Sequence, residues 1–441
     1  MMAEQQGITR IAYLTSGAAN MFCGSCLHDN TLARAWNQQG VDALLVPTYT
    51  PIRTDEEDVS VDQVFFGGIN VYLQQKIFVF RYLPAFLDRF LDNKWLLRKA
   101  TSRGLEISPR ALGALTVSML KGRHGNQRKE VKRLCKWLST DIKPDVVLLS
   151  NLLIGGCISE LKRLEIPVVV TLQGDDIFLE DLIEPFKSQA IDILRQIVPD
   201  VAGFLVHSEY YKDHMMSLLQ IPREKIHVVP LGIDTKDIKE ATTDPEHPRT
   251  IGYMARMSKE KGLQVLVDAF IEFKQMPNTD DVRLHLAGWR GVTNQDFAEQ
   301  QIQRLTDAGL EDSFVDYGTV DREGKLALLS ESDLVCVPTI YKEPKGLFAL
   351  EALAYGVPVV LPEHGAFPEV IGDVGGGQLV PPDDPQALAK CWHELLQDRA
   401  ALNDLGRQGR EAVLSRRDAE TMAHKTLEVL HLIVHQHSEQ A

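Results

Sequence analysis

PTIYKEPKGLFALEALAYGVPVVLPEHGAFPEVI, residues 338–371, holds a strand end, a loop, a helix and a second strand in one stretch. An apolar run closes at Pro338, a helical pattern opens near Leu347, and residues 357–361 form a short β-branched run. Glu343 falls in the loop, and Glu351 follows eight residues later, one turn into the helix. Gly346 lets backbone come close to a ligand, and the amides of Gly346, Leu347 and Phe348 open the helix with no intrahelical acceptor. Such an end favours phosphate or another anion. Two carboxylates flanking an anion-binding turn suit a ligand that carries both a diphosphate and hydroxyl groups.

The same alternation runs outward in both directions. Toward the N-terminus, RIAYLTS, VDALLVPTYT, PDVVLLS, IPVVVTLQG, VAGFLVHS and KIHVVPLGID are short apolar runs separated by helical patterns. TIGYMAR, VRLHLAG, FVDYGTV, DLVCVPT and VPVVLPE form a second series. Between the series lies the polar KEATTDPEHPRT, the best linker in the chain. The fold class expected is α/β, with two Rossmann-like, doubly wound parallel-sheet domains facing a central cleft. The expected domains are 1–236 and 247–441, with the last helix a candidate to pack back on the first.

Composition narrows the function. The 441 residues are 44% hydrophobic and 24% charged, as in an ordinary globular protein, and a chain this long exceeds one core. The start shows no basic stretch followed by an apolar one, and no run is long enough to span a bilayer, so a cytoplasmic protein is expected. Six cysteines in so long a chain do not make a disulfide framework. A net charge of −14 argues against nucleic acid as a partner. Residues 76–136 break that balance, with fifteen Lys or Arg against four acids, interleaved with aromatics in IFVFRYLPAFLDRFLDNKWLLRKA. Such a segment suits peripheral contact with an anionic membrane, or else forms helices with solvated basic faces. Neither a P-loop nor a dinucleotide fingerprint occurs in the right setting, which disfavours a P-loop kinase or an NAD enzyme.

E-x7-E followed by EALAYGVPVV resembles the signature of the family 4 retaining glycosyltransferases, which have the GT-B fold. Ordered matches extend the resemblance: VVPLGID at 228–234, then GYMARMSKEKGLQVLVDAF with Arg256, Lys261 and Gly262. VDYGTVDREGKLALLSESDLVCVPT and GGGQLVPPDDPQALA follow in the family's order. The resemblance implies a nucleotide-diphosphate sugar as donor and an acceptor hydroxyl, on a carbohydrate or, as the basic and aromatic 76–136 segment suggests, on a lipid-linked molecule. Catalytic roles then fall to Glu343, on the transferred sugar, and to Arg256 and Lys261, on the departing diphosphate. Glu351 would hold the ribose, with Lys345, Gly346, Leu347, Phe348 and Val320 completing the donor side. The acceptor side would draw on Gly17, Gly24, His28, Asn30, Gln173 and Asp175. Members of the family need neither a cofactor nor a catalytic metal, and GDD at 174–176 reads as a turn or helix start.

Two departures stand out. Pro344 and Lys345 replace the Gly-Phe common after the first glutamate, and Gln173 stands where the family often has histidine. Glutamine hydrogen-bonds but carries no proton in catalysis. The alternatives are a non-catalytic nucleotide-sugar-binding protein and a GT-B-fold phosphorylase or epimerase. Among the histidines near strand ends, His28 ranks above His207 and His364, since its loop should face the cleft. That loop, SGAANMFCGSCLHDN, holds the only C-x-x-C, at Cys23 and Cys26. In the family this turn faces substrate. A zinc clip with His28 and a thioredoxin-like couple remain the other readings, although zinc would need a fourth ligand and Cys135, Cys157, Cys336 and Cys391 are scattered.

Overall fold

The computed structural model describes residues 7–17, 23–61, 64–66, 71, 74–75, 108–238, 248–291 and 294–440. Most of the basic stretch, residues 76–107 with Arg98, Lys99 and Arg103, lies outside the described residues, as do Met21 and Phe22. Two compact units form: Met1–Pro230 with Glu420–Ala441, and Leu231–Ala419.

The first unit is built on six parallel strands. They are β1 (Arg10–Thr15), β2 (Asp42–Pro47), β3 (Val146–Leu149), β4 (Val168–Thr171), β5 (Gly203–Val206) and β6 (Ile226–Val228), in the order β2-β1-β3-β4-β5-β6. VVLL and VVVT are buried along their whole length, because helices cover both faces of a parallel sheet. Ile11 pairs with Val146 and Val147 with Val168, setting the central register. The helices are α1 (Gly24–Gln38), α2 (Pro109–Leu120), α3 (Arg128–Trp137), α4 (Ile158–Arg163), α5 (Asp175–Glu180), α6 (Phe186–Ile197) and α7 (Glu209–Leu219). GDD does begin a helix, with Gly174 as the N-cap of α5 at φ 112°.

The second unit repeats the plan with β7 (Thr250–Met254), β8 (Arg283–Ala287), β9 (Phe314–Gly318), β10 (Leu334–Cys336), β11 (Val359–Pro362) and β12 (Gly377–Val380). Read from the β9 edge, the order is β9-β8-β7-β10-β11-β12. This is the doubly wound 3-2-1-4-5-6 arrangement, and its strand order reverses between β7 and β10. Its helices are α8 (Leu263–Phe273), α9 (Gln295–Asp307), α10 (Arg322–Glu331), α11 (Leu347–Ala354), α12 (Phe367–Val374), α13 (Pro385–Leu395) and α14 (Arg399–Arg416). Phe273 packs its ring edge-on to Trp392, 6.1 Å between centroids, and both are fully buried.

The last helix, α15 (Ala419–Gln440), lies in the first unit from Glu420 onward, where Ala423 O accepts a 2.9 Å bond from Trp36 Nε1. Among the described residues no helix is long and apolar enough to cross a membrane.

Three local differences from the sequence expectation have physical causes. The strand before the signature loop ends at Cys336 rather than Pro338, and its partner starts at Val359 because Pro358 has no N–H to give the ladder. GQLV, which follows Gly375 and Gly376, adds an edge strand, β12, which carries no run of β-branched residues to announce it. Most important, the segment around the C-x-x-C is not a turn beyond Cys23. Helix α1 begins at Gly24, so Cys26, His28 and Asn30 are helical. Its polar residues look like loop, yet tertiary partners satisfy them inside the unit.

Candidate functional site

In open α/β sheets, ligands collect at the carboxyl ends of the strands where the order reverses. In the second unit that point lies between β7 and β10, and the loops leaving these strands carry the signature residues. Gly262 caps α8 at φ +73°, and a Cβ there would come within 1.7 Å of Pro338 O. Only glycine permits this approach, which lays the 256–262 loop on the 338–346 loop. Ile340 N then donates to Glu260 O at 3.0 Å.

The two loops join their side chains at Glu343. Lys261 Nζ donates to Glu343 Oε2 at 2.9 Å and to the Tyr341 hydroxyl at 2.5 Å, and Tyr341 donates in turn to the same carboxylate oxygen. The ammonium also sits 4.8 Å from the Tyr341 ring centroid, a cation–π contact. Glu343 is 5% exposed, and Gly346 N reaches its other oxygen at 3.4 Å. Burial pushes the carboxyl up, but the Lys261 charge, the Tyr341 and Lys261 hydrogen bonds and the Lys345 charge outweigh it and hold it at about 2. Burial, followed by the negative charge and hydrogen bond of Glu343, pushes the Tyr341 hydroxyl well above its ordinary value. The group is thus a carboxylate at neutral pH, fixed by a cation and a neutral phenol.

Around this cluster, Lys345 is buried and Arg256 is half-exposed, its guanidinium 3.3 Å from Glu260. Gly346 caps α11 at φ +73° with no side-chain cap bond, so the first-turn amides keep their anion-binding potential. Phe348 stacks edge-on against Phe367 at 5.8 Å, while Leu347 is half-buried. Ala366 N donates to Glu343 O at 2.8 Å, tying the loop after β11 to the same point. Glu351, on α11, pairs with Lys325 of α10 at 2.6 Å. Val320, half-buried, precedes Asp321, whose side chain caps α10 through Gly324 N at 3.0 Å. The structure therefore brings Lys261, Glu343 and Gly346 into one contact set. It places Arg256 against Glu260 and Glu351 against Lys325. Tyr341 and Lys325 were not foreseen, since nothing in spacing alone points to either.

The first unit has its own reversal between β1 and β3. Gly17 leaves β1 at φ +71°, where a Cβ would stand 2.1 Å from Thr50 O. Asp29, fully buried on α1, accepts from Tyr13 OH at 2.5 Å, Thr15 Oγ1 at 2.7 Å and Gln173 Nε2 at 2.9 Å. His28 Nδ1 is 3.1 Å from Asp29, and the His28 ring meets that of His207 edge-on at 4.6 Å. Gln173 also donates to Ser150 O at 3.2 Å. Asp175 accepts from the amides of Leu152 and Gln173 at 2.6 and 3.0 Å. Burial nevertheless lifts its carboxyl to about 6. Asn30 spends both ends of its amide on the 57–59 backbone, at 2.8 and 3.0 Å. Gly24 is the first residue of α1 rather than a flexible point in a loop, and His28 is held on a buried helix face. Among the described residues no three His, Cys, Asp or Glu side chains converge as a metal set.

Comparisons with known proteins converge on one family. Residues 110–237 match Glycosyltransferase Family 4, and residues 234–412 match Glycosyl transferases group 1. The phosphatidyl-myo-inositol mannosyltransferase of Mycobacterium leprae is 33% identical over 189 residues, 42% of this chain and 48% of its own. An amylovoran biosynthesis glycosyltransferase of Erwinia amylovora is 28% identical over 247 residues, 55% of this chain and 58% of its own. The chain thus spans about half the length of the curated relatives it matches. Among solved structures, HepE of Anabaena in complex with UDP superposes with a TM-score of 0.67 at 18% identity, covering 96% of this chain and 99% of its own. Sucrose-phosphate synthase of Thermosynechococcus elongatus gives 0.69 at 18% identity, with the same coverage. These establish the GT-B fold. The chain belongs to the group 1, family 4 glycosyltransferases.

Proposed function

We propose that the protein is a retaining, metal-independent hexosyltransferase that uses a nucleotide-diphosphate sugar and glycosylates a hydroxyl of a glycan or lipid-linked acceptor. The observation that carries this assignment is the Lys261–Tyr341–Glu343 cluster beside the Gly346 end of α11, which has no side-chain cap bond. The amides of that end and the cations of Arg256 and Lys261 supply positive charge where a leaving diphosphate gains negative charge, the differential stabilisation that speeds such a step. Glu343, held ionised, accepts hydrogen bonds from hydroxyls of the transferred sugar and cannot serve as a proton donor near neutral pH. The acceptor's proton passes to the departing phosphate on the same face, which preserves the anomeric configuration. Glu351 takes the ribose hydroxyls.

HepE was solved with UDP and the M. leprae relative is named for a lipid-linked acceptor, which supports a nucleotide-sugar donor and an amphiphilic acceptor here. We assign the protein to the cytoplasm, peripheral to an anionic membrane. The exposed cations Lys121, Arg123, Arg128, Lys132 and Lys136 of the described residues support that contact.

The test is donor turnover. Purified protein supplied with a panel of nucleotide-sugars and lipid extract should release nucleoside diphosphate from one donor, with a product of unchanged anomeric configuration and no loss in chelator. Binding of nucleotide without release from any donor would favour a non-catalytic nucleotide-sugar-binding protein. An inverted product would refute retention.

A further inference from the structure

The C-x-x-C has no part in the transfer chemistry above, yet its placement is specific. Cys23 is the N-cap of α1, in extended backbone at φ −126° and ψ 124°, with no side-chain cap bond. Cys26 is the third helical residue, one turn along and on the same side. Leu27 N donates to Cys23 O at 3.0 Å, fixing that first turn. Residues three apart on a helix carry Cβ atoms about 5–6 Å apart, and a disulfide needs them at about 3.5–4.5 Å with Cα atoms at about 4.4–6.8 Å. Because side-chain rotation leaves each Cβ where the backbone puts it, closure draws on the backbone of Cys23, which is extended and lies outside the helix.

The two thiols differ in a useful way. Cys23 is half-buried and sits at the amide-rich end of the helix, where a thiolate is favoured. Cys26 is fully buried behind it, against Thr15 and Asp29. Its hydrogen bond with Cys23, and then burial, push its thiol well above the ordinary value. Cys135, Cys157 and Cys336 are buried elsewhere, and burial lifts Cys157 to about 12. A C-x-x-C in a strand–helix–strand unit is also the arrangement in which dithiol couples recur.

We propose that Cys23 and Cys26 form a thiol–disulfide exchange site for low-molecular-weight disulfides of the glutathione type. The Cys23 thiolate attacks one sulfur of the small disulfide, whose S–S bond breaks and releases one thiolate that takes up a proton. Cys26 then loses its proton, attacks the Cys23 sulfur of the mixed disulfide and releases the second small thiol. Two protein thiols are oxidised to one disulfide, and one small disulfide is reduced to two thiols. The closed bridge ties the N-cap of α1 to the turn that carries His28 and Asp29. Nothing in this step depends on the transferase assignment.

The full chain, equilibrated in glutathione buffers of rising oxidised fraction, alkylated and digested, reads the site directly by mass spectrometry. The peptide spanning Cys23 and Cys26 should convert to an intramolecular disulfide, lighter by two hydrogens, while Cys135, Cys157 and Cys336 are alkylated only after unfolding. Cys26→Ser should trap glutathione on Cys23, whereas Cys23→Ser should leave Cys26 unmodified. The absence of the disulfide from the wild-type chain at every ratio overturns the site, and that measurement needs no variant to fold. Equal trapping of glutathione on Cys26 in Cys23→Ser overturns the order of attack.

Discussion

Lys261 and Glu343 stand 82 residues apart in the chain and meet at 2.9 Å, with 14% and 6% of their side chains exposed. A glycine makes the meeting possible, because Gly262 lies on Pro338 and brings the two loops together. A buried ion pair of this kind is weak evidence for stability by itself, since desolvation offsets much of the attraction. Its value here is position: a fixed carboxylate and a fixed cation at the strand reversal of one sheet.

Removing one partner strands the other charge. Glu343→Ala and Lys261→Met should each destabilise the second unit by about 3–5 kcal/mol, and the double substitution by clearly less than the sum. Urea unfolding of the four proteins in a double-mutant cycle measures this. At the level of function, Glu343→Ala should abolish transfer while nucleotide binding is largely kept. Additive losses would mean that the pair does not act as a unit.

The acid response follows from two carboxylates with opposite signs. Glu343 is held near 2 against an ordinary 4.5, so its contribution is fully present above about pH 4.5 and is lost as pH falls toward 2. At about 1.4 kcal/mol per pH unit this amounts to roughly 3.5 kcal/mol, absent in Glu343→Gln. Asp175 is raised from 3.8 to about 6, so the folded state binds the extra proton between those values. Stability therefore rises as pH falls from about 6 to about 3.8, and Asp175→Asn should flatten that limb. Melting temperature against pH for the wild type and both variants checks each sign.

Gly262 and Gly309 share φ +73°, which makes them a matched pair. At Gly309 nothing lies within 4 Å of a new Cβ, so Gly309→Ala should cost only the left-handed backbone penalty, about 1–2 kcal/mol. At Gly262 the Cβ would strike Pro338 O at 1.7 Å, so Gly262→Ala should lose at least ~3 kcal/mol and separate Lys261 from Glu343. Equal losses by chemical denaturation would show that the two loops are not pressed together in solution.

The glycines and β-branched runs of the signature were legible because they act locally. Gly346 caps a helix wherever the chain goes next, and VVLL is apolar on both faces because it is buried on both. What escaped was set by distant partners. Asp29 and Asn30 look like loop residues until Gln173, 144 positions beyond Asp29, and Glu57 complete their hydrogen bonds inside the unit. Tyr341 reads as a surface aromatic until Lys261 lies on its ring. Lys325 gives no sign in its own helix that Glu351 waits 26 residues away. Neighbour spacing encodes elements and caps, whereas a site formed where loops cross depends on the tertiary fold.

Helix α3 is where the basic stretch can be tested among described residues. Arg128, Lys132 and Lys136 recur every fourth residue on its exposed side, while Val131, Leu134 and Cys135 are buried and Glu130 pairs inward with Arg133 at 2.7 Å. Each cation near an anionic bilayer contributes about 1 kcal/mol, so reversing all three to Glu should weaken vesicle binding roughly 100-fold or more. Flotation with phosphatidylserine vesicles at two salt concentrations measures it, and the remaining binding should fall with salt. Unchanged partition would remove the membrane from the list of partners.

Glu351 and Lys325 provide the sharpest check on the nucleotide end. Lys325 holds Glu351 at 2.6 Å in a place where each is about six-sevenths buried, so the carboxylate is aimed before any ligand arrives. If it accepts the ribose hydroxyls, Glu351→Ala removes charge-assisted bonds of about 1.5–3 kcal/mol in total. Nucleoside diphosphate affinity by calorimetry should then drop roughly 10- to 100-fold. Lys325→Met should weaken binding less, because it frees the carboxylate's orientation without removing the acceptor. A Glu351→Ala protein that binds nucleotide as the wild type does would move the ribose elsewhere. A loss from Lys325→Met as large as that from Glu351→Ala would mean the ion pair shapes α10 and α11 rather than the ligand's seat.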